Sequence, residues 1–268
     1  VQRGAMTDDP DAGIPAGYVR LAAPSGRAVG QAELATPLTA ALQVGSFYEF
    51  AARHPDARAL AGRGIAYAVS LPRDAARVVV RHSRHGGLFA PLTGDRFVHP
   101  TRAPRELDIA LRLTQAGVPT PEVVAFAVYE VGGPIRRADV VTREVPDAID
   151  LAAALGSDPS DDDRRALLAA VARLLAALTN AGARHPDLNV KNILVRRAPN
   201  GTVEAMVLDV DRVWFDKPGA PHVTERNLAR LARSARKWRR KGALSLADTD
   251  MGWLAATAHA LAGEHVPA

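Results

Sequence analysis

The sequence contains no cysteine, few aromatic residues and very little lysine. The absence of cysteine from all 268 residues excludes disulfide frameworks, thiolate metal sites and cysteine nucleophiles. Only four of the 34 lysine and arginine side chains are lysine, and none of them precedes Lys191. Any chemistry in the first 190 residues that needs a cation must therefore use arginine or histidine, which excludes a Schiff-base lysine or a Walker-type lysine there.

Long apolar runs are also missing. No segment approaches the roughly 18 apolar residues of a membrane-spanning helix. The chain does not open on a basic stretch followed by an apolar one, so a cytoplasmic location is expected rather than secretion. Hydrophobic residues make up 47% of the chain and charged residues 24%, a composition typical of a globular protein with a sizeable core. The net charge of +5 weakly favours an anionic partner.

The residue patterns divide the chain into a strand-rich first half and a helix-rich second half. Residues 1–40 are rich in Gly, Pro and Ala, lack periodicity and are expected to form a loose arm. Runs of apolar and β-branched residues predict strands at 65–69, 77–81, 123–129 and 140–145. Helical spacing predicts a helix over 103–117. We place a domain boundary near Pro146, which gives domains at 41–146 and 147–268.

A long helix and a hairpin are predicted in the second half. An acidic stretch directly after Ser160 predicts a capped helix start, and the helix is expected to end near Asn180. Residues 193–195 and 206–208 flank the turn sequence Pro199-Asn200-Gly201, which predicts a β-hairpin.

The segment from His185 to Asn192, with Asp209 and Asp211 after the second hairpin strand, carries the most chemical information. Because a hairpin brings its two ends together, Asn192 and Asp209 are expected to converge. An amide oxygen and a carboxylate form a hard-oxygen site suited to Mg²⁺. Asp187, on the loop ahead of them, can accept a proton from a hydroxyl. The set therefore predicts phosphoryl transfer, and Asp211 is either a second metal contact or the partner of an arginine.

These residues resemble the catalytic core of the protein-kinase-like fold, in which H-x-D-x-x-x-x-N precedes a D-F-G segment. The form here, His185-x-Asp187-Leu188-Asn189-x-x-Asn192 followed by Asp209-x-Asp211-Arg212, is similar to the lipopolysaccharide-core kinases, specifically the 3-deoxy-D-manno-octulosonic acid (Kdo) kinase family. Two further segments resemble that family: Arg81-His82-x-x-x-Gly86-Gly87 and Asn227-Leu228-x-Arg230-Leu231-x-Arg233-Ser234. The resemblance runs from about Gly62 to Lys237.

The resemblance implies an α+β, bilobal protein-kinase-like fold, with a small antiparallel-sheet lobe that binds nucleotide and a mainly helical lobe for catalysis and acceptor binding. The implied reaction transfers the γ-phosphoryl group of ATP, with Mg²⁺, to a hydroxyl of Kdo on a lipid A precursor. Asp187 is then the catalytic base, and Asn192 and Asp209 are the metal ligands. Nucleic-acid binding is not expected, because no nucleic-acid motif or interleaved aromatic residues are visible.

The chain departs from the protein-kinase pattern at several positions. Gly62, Arg63 and Gly64, ahead of the first predicted strand, are expected to bring backbone amides to the nucleotide phosphates, but Tyr67 stands where kinases carry their third glycine. Asn189 stands where many protein kinases carry a phosphate-contacting lysine.

The resemblance also assigns four residues to nucleotide binding. Arg81 ends a predicted strand where kinases carry their ATP-anchoring lysine, and a guanidinium can hold phosphate oxygens bidentately. Glu106 is expected to pair with Arg81, although its neighbour Arg105 offers a local ion pair instead. Glu144 and Val145 are expected to give backbone hydrogen bonds to adenine.

A basic helix is predicted over 227–240, within a run that has eight cations in the sixteen residues Arg226–Lys241. Such a run is ordinarily a solvated face. Because the implied acceptor lies in the inner membrane, the run predicts peripheral binding to its anionic cytoplasmic surface, at about 1 kcal/mol per cation. Trp238 is a candidate interfacial anchor.

Two alternatives remain open from the sequence. One is a kinase of a soluble small molecule, such as an aminoglycoside or another sugar, because the catalytic loop pattern is shared. The other is a non-catalytic kinase-like binding module, which the missing lysine, third glycine and D-F-G glycine favour. The presence of Asp187, Asn192 and Asp209 in order favours an enzyme.

Overall fold

The computed structural model describes residues 13–60, 65–82, 97–98, 101–133 and 135–263. The chain forms two compact units. The first contains the described residues up to Asp108 together with Glu122–Glu144, and the second contains Ile109–Pro121 and the described residues from Val145 onward. Helices and antiparallel sheets are mixed in the fold, with one large antiparallel sheet.

The large sheet lies in the first unit, and within the described residues it has eight strands. They are β1 (Tyr18–Leu21), β2 (Arg27–Gln31), β3 (Arg58–Leu60), β4 (Ala66–Ser70), β5 (Arg77–His82), β6 (Phe97–Val98), β7 (Val123–Gly132) and β8 (Ile135–Arg143). Their order is β1-β2-β7-β8-β5-β4-β3, and β6 pairs with β8 off this path. The first seven residues of β7 are all buried, which is the pattern of a central strand covered on both faces.

Two short helices, α1 (Ala35–Leu42) and α2 (Phe47–Arg53), pack on this sheet. Ser46 and Glu49 start α2 with a capping box, in which each side chain accepts a hydrogen bond from the other residue's backbone N–H. Leu38 and Phe47 are fully buried in the core between these helices and the sheet.

The prediction of a loose arm over residues 1–40 is wrong for the part from Tyr18 onward, because residues 18–42 contain β1, β2 and α1. β1 and β2 extend the main sheet, and β2 pairs with β7 almost 100 positions further along the chain, Val29 facing Phe126. Because this pairing is non-local, no pattern within residues 18–42 predicts it. Gly30 allows the close packing, because a Cβ there would lie 2.6 Å from Leu38 Cδ1.

The second unit combines helices with two small sheets. Its helices are α4 (Leu151–Gly156), α5 (Asp161–Asn180), α6 (Pro221–Arg239) and α7 (Asp248–Gly263), while α3 (Ala103–Gln115) is divided between the two units. Its strands are β9 (Ile149–Asp150), β10 (Ala183–Arg184), β11 (Ile193–Arg197), β12 (Val203–Val207) and β13 (Trp214–Phe215). The sheets have the orders β12-β11-β9 and β10-β13. Helix α5 packs against α6, α7 and β12.

The predicted capped helix and the predicted hairpin of the second unit are confirmed. Ser160 caps α5 by accepting a hydrogen bond from the backbone N–H of Asp163, and the helix ends at Asn180. Ile193 pairs with Val207 in the predicted hairpin. Helix α6 begins earlier than predicted, at Pro221, because proline at the first helical position costs no intrahelical hydrogen bond. Within the described residues, no helix combines the length and apolarity needed to cross a bilayer.

A glycine, Gly182, is required in the connection between α5 and β10. Gly182 has φ +67°, and a Cβ there would lie 2.3 Å from the carbonyl oxygen of Asp216. The Gly182 carbonyl in turn accepts a hydrogen bond from the Asp216 N–H at 2.8 Å. This close approach sets the start of β10, and the segment with the predicted catalytic residue follows directly.

Candidate active site

The structure brings the two ends of the β11–β12 hairpin together, as predicted. The Leu208 N–H donates to the Asn192 carbonyl at 2.9 Å, which extends the ladder one step beyond the Ile193–Val207 pair. Asp209 directly follows Leu208. The carboxylate of Asp209 and the amide of Asn192 therefore stand on backbone segments that are joined to each other at this end of the hairpin.

A network of amides holds the loop that carries Asp187. The Nδ2 atoms of Asn189 and Asn192 both donate to the Asp187 carbonyl, at 2.9 and 3.0 Å. The Asn189 Oδ1 accepts from the Lys191 N–H at 2.9 Å. Asn189 thus shapes the loop. The use of Nδ2 by Asn192 leaves its Oδ1 as the acceptor atom of that amide.

His185 links this loop to the hairpin. It is 1% exposed, its Nε2 donates to the Leu208 carbonyl at 2.9 Å, and its Nδ1 accepts from the Asp187 N–H at 3.2 Å. These two contacts require a neutral ring with its proton on Nε2. Burial lowers the pKa of His185, and its hydrogen bond to Leu208 and the nearby carboxylates only partly oppose this effect. With both ring nitrogens used in this way, His185 serves the loop by packing and hydrogen bonding.

Asp209 adopts a left-handed backbone conformation, with φ 54° and ψ 50°, before a short 3₁₀ turn at Val210–Arg212. Aspartate tolerates this region better than most residues, and such strain is concentrated at functional sites. The donor set fits Mg²⁺, which commonly takes one or two protein oxygens and completes its shell with phosphates and water. Among the described residues, no group of three or more His, Asp or Glu side chains could hold a metal ion.

Helix α6 supplies contacts that the sequence analysis missed. Arg230 Nη2 lies 2.5 Å from Asp187 Oδ1, and its Nε donates to the Pro186 carbonyl at 2.8 Å. Asn227 is fully buried; its Oδ1 accepts from the His185 N–H and its Nδ2 donates to the Ala183 carbonyl, both at 3.0 Å. The signal was the N-L-x-R-L-x-R-S segment, whose Asn and Arg, three positions apart, fall on one helical face.

The C-terminal part of α6 and the residues directly after it form a basic surface. A groove there is lined by five cations: Arg233, Arg236, Lys237, Arg240 and Lys241. Arg239 instead pairs with Asp248 at 2.6 Å. Trp238 is half-buried, with the ammonium of Lys191 5.3 Å from its ring centroid. The cations of this segment therefore differ in their surroundings: Arg230 contacts the loop that carries Asp187, whereas the five groove cations are exposed, although the charge run predicted a single surface.

In the first unit, Arg81 and Glu106 form an ion pair, as expected. The Glu106 side chain is buried and that of Arg81 is about one-quarter exposed, so the pair presents the guanidinium rather than the carboxylate. Its role in nucleotide binding stays a prediction. Gly62, Arg63 and Gly64 lie outside the described residues, as do Gly86 and Gly87.

A partly buried cluster of Tyr48, His82 and Asp139 anchors the strand end that carries Arg81. Asp139 is 0% exposed and lies 2.5 Å from His82 Nδ1, and it also accepts from the Tyr48 N–H at 3.0 Å. The Tyr48 ring stacks on His82 with 3.6 Å between centroids. His82 lies in the segment that resembles the family, but no pattern in the sequence predicts its contact. Its partner Asp139 is 57 positions away.

The structure reduces the number of backbone groups of Glu144 and Val145 that can form hydrogen bonds with adenine. The Glu144 N–H donates to the Arg77 carbonyl at 3.0 Å, so this donor is already used. The Glu144 carboxylate pairs with Arg58 at 2.7 Å and with Arg77 at 2.6 Å. The Val145 carbonyl accepts from the Ala148 N–H at 3.4 Å. Of the backbone groups expected to face adenine, the Glu144 carbonyl and the Val145 N–H remain.

Comparison with known proteins identifies relatives of this chain. The family model described as lipopolysaccharide kinase (Kdo/WaaP) family matches residues 56–257. The 3-deoxy-D-manno-octulosonic acid kinase of Vibrio parahaemolyticus is 32% identical over 186 residues, which cover 66% of this chain and 71% of the relative. The enzyme of the same name from Vibrio cholerae is 30% identical over 180 residues, 66% of this chain and 72% of the relative.

The fold has a counterpart among solved structures. WaaP, solved in complex with acyl carrier protein, superposes with a TM-score of 0.50 at 19% identity, over 80% of this chain and 82% of that chain. This likeness concerns the fold alone. The family match covers most of the chain and includes Arg81, Asp187, Asn192, Asp209 and α6. The chain therefore belongs to the lipopolysaccharide kinase (Kdo/WaaP) family and is a sugar kinase of lipopolysaccharide core biosynthesis.

Proposed function

We propose that the protein transfers the γ-phosphoryl group of ATP to a hydroxyl of Kdo on a lipid A precursor, using a bilobal protein-kinase-like fold. The observation that carries the proposal is that the loop with Asp187 is hydrogen-bonded to the hairpin. His185 and Asn192 each form one hydrogen bond with Leu208 and one with Asp187. A base, an amide oxygen and a carboxylate in this arrangement are the parts that phosphoryl transfer needs. The Kdo acceptor is suggested by the names of the relatives.

In this reaction the Asp187 carboxylate orients the acceptor hydroxyl and accepts its proton. The hydroxyl oxygen forms a bond to the γ-phosphorus as the bond from that phosphorus to the bridging oxygen breaks, and ADP leaves with the bridging oxygen. Asn192 Oδ1 and the Asp209 carboxylate would hold Mg²⁺, which neutralises phosphate charge when bound. His185 keeps the loop in place through all of these steps.

The nucleotide would be held mainly by the first unit. The Arg81 guanidinium binds phosphate oxygens, and buried Glu106 fixes its direction. The Glu144 carbonyl and the Val145 N–H serve adenine. Gly62, Arg63 and Gly64 remain candidates for phosphate binding. In this arrangement Arg81 takes the place of the lysine that protein kinases use.

The basic surface of α6 would bind the anionic cytoplasmic face of the inner membrane, where the lipid-linked acceptor lies. Its five groove cations are exposed and contribute about 1 kcal/mol each at such a surface. Replacing Arg236 and Lys237 together by glutamine should weaken sedimentation with vesicles that contain anionic lipid and leave binding to neutral vesicles unchanged. Equal sedimentation of the variant and the wild type would contradict this role.

The test of the function is phosphate gain, measured by mass spectrometry on a panel of Kdo-lipid A, free sugars and an aminoglycoside. We expect phosphorylation of Kdo-lipid A only. Asp187→Asn should lower the rate by about 10²–10⁴-fold, the contribution typical of a positioned general base. Asp163→Asn, at the exposed start of α5, is the matched control and should stay active.

Two results would contradict the proposal. Phosphorylation of the aminoglycoside or free sugar without Kdo-lipid A would refute the acceptor. An Asp187→Asn variant as active as Asp163→Asn would refute the assignment of the base.

A further inference from the structure

The catalytic loop has no lysine directed at the reacting groups. Asn189 occupies the position where many protein kinases have one, and both ends of its amide are used to shape the loop. Lys191 comes two residues later, but its ammonium lies 3.0 Å from Asp150 Oδ2 and over the Trp238 ring. Transfer of a phosphoryl group needs positive charge around it, because negative charge spreads over its oxygens.

Helix α6 brings a cation to this place from outside the loop. Arg230 Nη2 lies 2.5 Å from Asp187 Oδ1. A general base must come within hydrogen-bond distance of the hydroxyl that attacks phosphorus. A guanidinium in contact with the carboxylate of that base therefore lies next to the path of the phosphoryl group.

The guanidinium is fixed in position and still partly open. Its Nε donates to the Pro186 carbonyl at 2.8 Å, in addition to the contact with Asp187. The two contacts use fewer N–H groups than a guanidinium carries. The Arg230 side chain is 34% exposed and that of Asp187 is 22% exposed, so a ligand can reach the pair.

Two neighbours on the same face of α6 position Arg230 next to Asp187 by contacting the loop on either side of it. Asn227, one turn earlier, bonds His185 and Ala183. Ser234, one turn later, accepts a hydrogen bond from the Val190 N–H at 3.3 Å. The helix thus contacts the loop before, at and after Asp187, and Arg230 is the charged member of the three.

We propose that Arg230 is the cation of the catalytic loop: it fixes the carboxylate of Asp187 and binds the phosphoryl group during its transfer to the acceptor. This inference rests on the proposed function. It removes Arg230 from the membrane-facing surface, to which the charge run alone assigned it. The charge run then has two separate roles. Its exposed cations bind an anionic surface, and the guanidinium of Arg230 takes part in phosphoryl transfer.

The test compares Arg230→Met and Arg230→Lys with Arg197→Met. Arg197 is a matched control, since it also forms an Arg–Asp ion pair, with Asp163 at 2.6 Å, but at the turn end of the hairpin. Arg230→Met should lower kcat by about 10²–10³-fold, the usual effect of removing one donor to transition-state charge. The KM for the acceptor and the affinity for Mg·ATP should change little. Arg230→Lys should recover part of the rate, because it keeps the charge but loses the fork.

A second measurement separates the role of Arg230 from the identity of the acceptor. Thermal unfolding is followed with Mg·ADP and with Mg·ADP plus aluminium fluoride, which mimics the phosphoryl group in transfer. The wild type and Arg197→Met should gain stability from aluminium fluoride, and Arg230→Met should lose this gain while it keeps the gain from Mg·ADP.

Each outcome decides the inference. Wild-type kcat in Arg230→Met, or an unchanged response to aluminium fluoride, would overturn it and leave the proposed function standing. A wild type that phosphorylates no acceptor of the panel would refute the proposed function; selective loss of the aluminium fluoride response in Arg230→Met would then still support the role of Arg230. No response in any variant, or the same response in all, would overturn it.

Discussion

Asn227→Ala should destabilise the protein strongly, although the substitution removes only a small amide. The side chain is fully buried, and it bonds the backbone N–H of His185 and the backbone carbonyl of Ala183. Alanine would leave both buried groups without these partners. Each unsatisfied group costs about 1–3 kcal/mol, so the free energy of unfolding should fall by about 2–6 kcal/mol.

The measurement is urea unfolding at neutral pH, with the free energy obtained by linear extrapolation. Asn200→Ala is the control, because Asn200 accepts a hydrogen bond from the Thr202 N–H in an exposed turn. An exposed substitution of this kind should cost about 0.5 kcal/mol. If Asn227→Ala cost no more than Asn200→Ala, the two buried hydrogen bonds would not exist, and the anchoring of the catalytic loop by α6 would be refuted.

Three other predictions follow from single residues. Because the pKa of His185 is lowered in the folded state, the unfolded chain binds a proton near pH 6.5, before the folded chain does. The free energy of unfolding should therefore fall below that pH, by up to about 1.4 kcal/mol per pH unit. In denaturant titrations, His185→Gln should lose less of this free energy between pH 7 and pH 5 than the wild type does. Arg81→Lys should lower kcat/KM for ATP by about 10–100-fold, since the forked contact is worth about 1.5–3 kcal/mol, and an unchanged value would show that any cation serves there. Gly182→Ala, whose Cβ would lie 2.3 Å from the Asp216 carbonyl oxygen, should lower the unfolding midpoint more than Gly201→Ala, which also has positive φ but open space around it.

Local patterns predicted the elements that depend on near neighbours in sequence. The β11–β12 hairpin follows from its turn sequence, and α5 follows from its cap and its apolar stripe. The strands at 18–31 were missed, because β2 is stabilised by pairing with β7 and by packing on α1, and neither is visible in its own five residues.

The candidate site divides in the same way. Asp187, Asn192 and Asp209 can be named as candidates from the sequence, because their spacing around a hairpin predicts that they lie close together. The pair of His82 and buried Asp139 could not be named, because nothing in the sequence says that these two residues, 57 positions apart, are in contact.

The sequence by itself indicated the chemistry proposed for this protein: candidate oxygen ligands and a candidate base in order around a hairpin, with arginine as the cation available in the first half of the chain. Only the tertiary structure decided what each charge on α6 does. The charge run has one composition along its length, but packing gives its members different surroundings: Arg230 contacts Asp187, whereas Arg233 is exposed to solvent. The physical reason is that only the part of a helix that lies against another segment brings its side chains into contact with that segment, and the charge run does not say which part this is.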